Sequence, residues 1–467
     1  MKIPKTPPNW LSIATKLSDS RKNQIFAQKN KWVIEDRYLH WNELRRRPTP
    51  DGFDHEEWWY ILKLARGGNY RAVELRDKSG MPFVFGQPNT LTELLHQIDR
   101  GLGLAVGLPE AVANPAARDR YVVNSLIEES ITSSQLEGAA TTRAAAKEML
   151  RSGRPPHDKS ERMILNNFLT MQRLRDLHKN PLTPELVFEL HRRVTDGTLE
   201  KADAAGRFRR SDENIRVIDD IEGTEFHVPP AAEELPARMK AMCAFANGDA
   251  PDYFIHPVIR GIILHFWLAY DHPFYDGNGR TARALFYWSM LRHDYQLFEF
   301  ISISEILLRA PMRYAEAFLH TETDENDLTY FILHQAEVIR EAVKSLRSYL
   351  ERKKAELKTA SACLHGIQDL NHRQQALLLH ALREPGTSYL IGAHQRSHGV
   401  THQTARDDLF DLVDRGLLVV KKAGRAYRFR APGDLSEKLG NLSKALPQAT
   451  EDEASLPLKL PFRTTHD

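Results

Sequence analysis

The twelve residues HPFYDGNGRTAR, His272 to Arg283, decide how this chain is read. They separate PVIRGIILHFWLAYD (257–271) from ALFYWSML (284–291), two of its most apolar runs. Helices this apolar are buried on most sides, so the loop between them is held rigidly. Phe274 can anchor that loop in the core. The Gly277-Asn278-Gly279 turn can take backbone angles that bulky side chains forbid. Its successive N–H groups then face one concavity at the start of the next helix, an anion nest. Arg280 and Arg283, three apart, share a face of the first turn and add two guanidiniums suited to a polyphosphate. Asp276 has the chemistry to hold Mg2+ between phosphates. His272, at the entrance, is placed to take a proton from an incoming hydroxyl. A lone Gly-Asn-Gly is ordinarily a turn between core helices, but here every group that such chemistry needs stands in one run.

Outward from this stretch, residues 120–350 follow a helical period. YVVNSLIEESITSSQLEG predicts a helix closed by Gly138. ERMILNNFLTMQRLRDLHKN is amphipathic and is followed by Pro181. TPELVFELHRRVTDG has Thr183 as N-cap and Pro184 in the first turn. NIRVIDDIEGTEFHVPP alternates and predicts a short β-hairpin. LTYFILHQAEVIREAVKSLRSYLERKKAEL predicts one long helix. Upstream, HEEWWYILKLAR predicts a helix with an acidic start, and VELRDKSGMPFVFG a short hairpin. Downstream, NHRQQALLLHAL and GVTHQTARDDLFDLVDRGLL predict helices, and VVKKAGRAYRFR two strands around Ala-Gly. Helices followed by a strand pair suggest a winged helix-turn-helix over 371–432. Residues 433–467 are polar and predict a disordered tail.

HPFYDGNGRTAR resembles the signature of the Fic family, His-x-Phe-x-Asp/Glu-Gly-Asn-Gly-Arg-x-x-Arg, at every defined position. The resemblance covers roughly 120–345, GRFR at 206–209 included. It implies a mainly α fold, an all-α core with a β-hairpin flap, lying between an N-terminal extension (1–115) and the C-terminal unit. It further implies transfer of AMP from ATP to a Ser, Thr or Tyr hydroxyl of a target protein. His272 would then be the general base and Asp276 the Mg2+ ligand. Gly277, Asn278 and Gly279 would cradle the phosphates with Arg280 and Arg283. Tyr314 falls where a family aromatic meets adenine, and ordinary packing explains it equally well. Val217 and Ile218, on the flap, would hold the target backbone by strand addition. The same resemblance extends to SSQLEG, Ser133 to Gly138, which is similar to the family's inhibitory motif. Ser133 and Glu137 share a helix face, and Glu137 would pair with Arg283 in place of the γ-phosphate.

Other transfers on the same fold stay open. Phosphorylating relatives carry Ala-Asn-Lys where this chain has Gly277-Asn278-Gly279, which disfavours that branch. Phosphocholine transfer, auto-AMPylation and removal of AMP with Glu137 positioning a water also remain. A regulator of a different class is possible on sequence grounds. In it THQTARDDLFDLVDRGLL would enter a DNA groove and Lys421, Lys422, Arg425, Arg428 and Arg430 would meet phosphates. Asp407, Asp408, Asp411 and Asp414 speak against it, and protein docking is the alternative.

The chain has 467 residues, 64 basic and 62 acidic, so its net charge of +2 neither favours nor opposes nucleic acid. Two cysteines cannot form a disulfide framework or a zinc site by themselves. With no apolar leader and no membrane-length run, the expectation is a cytoplasmic protein of two to four domains. Its oligomeric state is left open, a homodimer included. GLGLAVG (101–107) lacks the spacing and the preceding strand of a dinucleotide fingerprint and reads as a loop. No P-loop occurs.

Overall fold

A computed structural model describes residues 2–26, 37–103, 115–218, 223–366, 369–383, 386–423 and 426–445. The chain divides into one unit of residues 1–108 and 118–348 and a second of 109–117 and 349–467. The first is mainly helical, with two short β-hairpins among the described residues. At its centre helix Pro257–Asp271 packs along helix Asn278–Arg292 more extensively than any other helix pair. Every residue of the former except Pro257 and Ala269 is buried, as its uniform apolarity predicts. Around this pair stand helices Lys159–Leu177, Pro184–Thr195 and Leu235–Asn247. Thr183 caps the second of these, its Oγ1 accepting from Leu186 N–H, with Pro184 in the first turn.

The N-terminal extension is no separate domain. Its hairpin, Arg71–Arg76 with Pro82–Phe85, sends Phe83 against Phe266 and Tyr270 of the central helix. Val84 adds a parallel bridge to Asp327. Lys63, 3% exposed, pairs with Asp324 at 2.8 Å, and Tyr38 donates to Asp327 at 2.6 Å. Buried charges persist only when paired, so these contacts tie residues 37–103 to the core. The extension therefore belongs to the same compact unit as the helical core. GLGLAVG is corrected at its start, where Gly101–Gly103 complete helix Asn89–Gly103, and the remainder lies outside the described residues.

The hairpin at the rim is present as strands Val217–Ile218 and Glu225–His227, antiparallel, with Val217 opposite His227. Its centre, 219–222, lies outside the described residues. Helix Pro115–Leu136 ends in a Schellman turn. Gly138 takes φ +86°, Ala139 N–H donates to Ser134 O and Gly138 N–H to Gln135 O. This leaves Glu137 as the helix's capping residue, with its side chain free of the helix's own ladder.

The second unit contains helices His372–Arg383, Ile391–His398 and His402–Asp414 and a three-stranded antiparallel sheet. In that sheet strand Ala426–Arg430 lies between Ser388–Tyr389 and Val419–Ala423. The helix at 391–398 and the two-residue strand were not expected from sequence. Their pattern, IGAHQRSH after SY, is too short and too polar to carry a period. The tail is corrected as well: Leu435–Ala445 is helical. Leu435 and Leu439, one turn apart, are both buried in this unit's core with Leu378, Leu409, Leu412 and Phe429. Residues 446–467 lie outside the described residues. Among the described residues no helix is long and apolar enough to cross a membrane.

Candidate active site

The site forms where the two central helices meet. Helix Pro257–Asp271 closes at His272, whose φ of +45° puts it in the left-handed region. For a residue with a Cβ that conformation costs about 1–3 kcal/mol and must be held by its surroundings. Arg209 does the holding. Its Nε donates to His272 O at 2.9 Å and its Nη2 to Asp271 O at 3.4 Å, while its own N–H donates to Pro273 O at 2.8 Å. Carbonyls at a helix end lack intrahelical partners, and the last residue of GRFR supplies them.

The loop itself is fastened from beneath. Asn278 Oδ1 accepts from Phe274 N–H and its Nδ2 donates to Phe274 O, both at 2.9 Å. The Asn278 side chain is thus consumed as a staple, and only its backbone is left to face a ligand. Phe274, fully buried, stacks on His191 with ring centroids 3.8 Å apart. Gly206 N–H donates to His191 Nδ1, so Nε2 carries the proton that it donates to Asp276 O at 2.8 Å. Gly277 has φ +83°, and a Cβ there would come within 2.5 Å of Thr195 Cγ2. Only glycine meets both demands.

His272 is partly buried, and its Nδ1 lies 3.3 Å from Ala269 O. A carbonyl can only accept, so Nδ1 holds the proton and Nε2 the lone pair. Burial first, then the neighbouring His227, pushes the ring down to about 4, which leaves it neutral at physiological pH. A neutral imidazole with a free Nε2 is a competent base.

The two arginines of the run have different surroundings. Three positions apart on a helix means about 60° between their directions. Arg283, 2% exposed, donates Nε to Ser133 Oγ at 2.8 Å and Nη2 to Ser133 O and Glu137 Oε1, each at 2.9 Å. Arg280 lies under the loop, Nη1 donating to Val194 O at 2.9 Å. Its Nε and Nη2 are buried with no hydrogen-bond partner among the described residues, and the Asp276 carboxylate is 3.8 Å away. Its charge is faced by the carboxylates of Glu137 and Asp276.

Glu137 stands at the junction of two cavities. One, about 260 Å³, is mainly apolar and is walled by Val217, Phe226, Tyr270, Tyr314, Phe318 and Leu319. The other, about 290 Å³, is polar and includes Asp276, Gly277, Tyr275 and Arg216. Glu137, His272, Asn278 and Gly279 line both. The Glu137 carboxylate presses on the helix start so closely that a Cβ on Gly279 would lie 2.1 Å from its Oε1. Burial opposes its charge, but Arg283 and then Arg280 outweigh that and hold it below the usual carboxylate range.

The fold therefore brings together His272, Asp276, the Gly277–Gly279 turn, Arg283, Ser133, Glu137, Tyr314 and Val217. Tyr314 OH also engages His265 Nε2 at 2.7 Å. Ile218, 53% exposed, points to solvent at the flap. Three residues that position the site were not singled out from sequence: Arg209, His191 and His227. His227 sits 2.7 Å from both Tyr270 O and Glu322 Oε2 and pins the flap strand to the rim. The signal for Arg209 was present in GRFR. For the two histidines nothing local distinguishes them from ordinary core residues.

The profile of the Fic/DOC family matches residues 181–290. Protein adenylyltransferase Fic of Nematostella vectensis is 38% identical over 104 residues, which is 22% of either chain. That of Drosophila grimshawi is 29% identical over 174 residues, 34% of this chain and 32% of the other. The chain thus spans between a fifth and a third of the length of these relatives. Among solved structures, a Fic family protein from Desulfovibrio desulfuricans G20 aligns with TM-score 0.50 and 18% identity over 73% of this chain and 95% of its own. That likeness is one of fold.

Proposed function

From the Fic/DOC domain at residues 181–290 we propose that this protein transfers AMP from ATP to a hydroxyl of a target protein and that Glu137 holds it off. One observation carries the reading: an anion of the protein's own, the Glu137 carboxylate, is seated on Arg283 against the Gly279 backbone. A pocket that binds a carboxylate with a buried guanidinium and a helix start is built for a phosphate oxygen.

In this reading adenosine enters the apolar cavity beside Tyr314. The first N–H groups of helix Asn278–Arg292, free of intrahelical partners, meet the α- and β-phosphates. Arg280 and Arg283 take the outer phosphates. Strand Val217–Ile218 has an open edge among the described residues and would pair with an extended target segment. The target hydroxyl gives its proton to His272 Nε2 as its oxygen bonds to the α-phosphorus. The bond from that phosphorus to the bridging oxygen breaks, and pyrophosphate leaves. The donor set suits Mg2+: of the two carboxylates that line the polar cavity, Glu137 is engaged by Arg283 and Asp276 is the other, and Mg2+ binds through one or two carboxylates plus substrate phosphates. There it would neutralise phosphate charge.

Incubation of the Glu137→Gly protein with ATP and Mg2+, followed by intact-mass measurement, tests the reading. Addition of one AMP mass, absent from the Glu137→Gly, His272→Ala protein, is the expected result. No mass change in either overturns it.

A further inference from the structure

We propose that the C-terminal unit binds duplex DNA, with the exposed face of helix His402–Asp414 entering a groove and the adjoining strands gripping phosphates. The inference does not rest on AMP transfer.

Its first support is charge. Residues 371–430 hold ten Lys and Arg against five Asp and Glu, whereas the rest of the chain holds 54 against 57. The near-neutral total conceals a basic module, and local basicity is the footprint of a polyanion partner.

The second support is where the helix's acids go. Asp408 is 5% exposed and faces inward. Arg373 donates to it through Nε at 2.7 Å and Nη2 at 2.9 Å, and Asn371 Nδ2 at 2.7 Å. His394 Nε2 lies 3.2 Å away. Asp411 is engaged by Gln374 Nε2 and Arg415 Nε. Both carboxylates therefore tie helix His402–Asp414 to helix His372–Arg383; Asp408 is withdrawn from the surface, and Asp411 is partly exposed with Arg415 paired to it. Asp407 stays exposed beside Arg406 and accepts from Gln403, so it is the one acid at the front half, and Asp414 lies at the far end, about 10 Å further along the axis.

The third support is what remains outside. Thr401, His402, Gln403 and Arg406 are exposed at the front half of the helix. These hydrogen-bonding side chains sit where a recognition helix reads base edges. The basic strip continues onto the sheet. Arg406 lies over the Phe410 ring, 5.4 Å from its centroid, and Phe410 meets Tyr427 edge-on at 5.5 Å. Tyr427 pairs across the ladder with Lys422 on the side that meets Phe410, and Lys421 with Arg428 on the other side, so both faces of the strand pair carry basic residues. Lys421, Lys422 and Arg428 are all exposed.

If Arg406, Lys421, Lys422 and Arg428 each neutralise a phosphate, the logarithm of affinity falls with that of salt with a slope of about −3.6. Affinity then drops about 10²-fold between 50 and 200 mM. The test is fluorescence anisotropy of the full chain with a labelled random duplex across that range. Binding at 50 mM with this salt dependence is expected. The Arg406→Ala, Lys422→Ala protein should bind at least tenfold more weakly, with a slope shallower by about 2. Lys421→Glu, on an exposed strand position, gives a second reading should the double variant melt early, and Lys78→Ala in the other unit should change nothing. No binding at 50 mM, or equal binding by well-folded variants, overturns the proposal. A protein partner that needs Arg406 and Lys422 while duplex is ignored overturns it in favour of a docking face.

Discussion

Replacing Glu137 by glycine should raise AMP transfer about 10²-fold. The Glu137 carboxylate makes one charge-assisted hydrogen bond to Arg283 Nη2 at 2.9 Å and lies hard against Gly279. Such a bond contributes about 1.5–3 kcal/mol, which a γ-phosphate must displace or avoid. If it is avoided, the triphosphate shifts. A shift of about 1 Å off the line of attack costs about 10²-fold, or roughly 2.7 kcal/mol. The two routes agree on the size of the effect. The fold should tolerate the change, because Arg283 keeps Ser133 Oγ and Ser133 O as acceptors, and Glu137 lies beyond the last helical residue. Initial rates of labelled-AMP incorporation at saturating ATP and Mg2+ measure it, with thermal melting as the control for folding. A rise of less than threefold in a protein that melts like the parent would refute the argument that this carboxylate blocks alignment.

His272→Ala should lower transfer in the Glu137→Gly background by about 10²–10⁴-fold while ATP affinity by calorimetry stays within a few-fold, since the phosphates meet other groups. The acid limb of kcat/KM should fall below pH 5 instead of near the usual 6.5, because burial brings the ring to about 4. Glu137 raises that value, so its removal moves the limb further down. Asp276→Ala should remove the Mg2+ dependence of ATP binding, and a variant still Mg2+-dependent with unchanged affinity would transfer the ligand role elsewhere. Arg209→Lys, which cannot reach the Asp271 and His272 carbonyls with a planar fork, should lower kcat more than it changes KM for ATP. Equal losses in both would make Arg209 a general stabiliser of the nucleotide pocket.

Much of the catalytic geometry is local and so was legible in order of residues. A buried helix, a glycine-rich turn and a second buried helix force His272, Asp276 and the arginines into one small region whatever surrounds them. The hairpin flap and the capped helix at Thr183 were readable for the same reason, since turn and cap chemistry act over a few residues. Tyr314 was a weaker case. Its packing on the cavity wall depends on helix Pro311–Thr323 meeting the central pair, and no short-range pattern encodes that meeting.

What the sequence by itself determined is the chemistry: a base, a carboxylate, a nest and two guanidiniums at fixed spacing, and a second carboxylate at Glu137. Tertiary structure decided what those groups are free to do. Ser133 and Arg283 are 150 positions apart, yet share a hydrogen bond. The 60° between Arg280 and Arg283 sends one under the loop and the other to Glu137. The protonation of His272 follows from Ala269 O and from burial, neither visible in a motif. Of the acids on helix His402–Asp414, packing turned Asp408 into an internal strut and linked Asp411 to Gln374, whereas Asp407 and Asp414 stay exposed. Spacing along a chain fixes which groups are neighbours over a turn or two, whereas desolvation and the partner across the interface set their charge and availability.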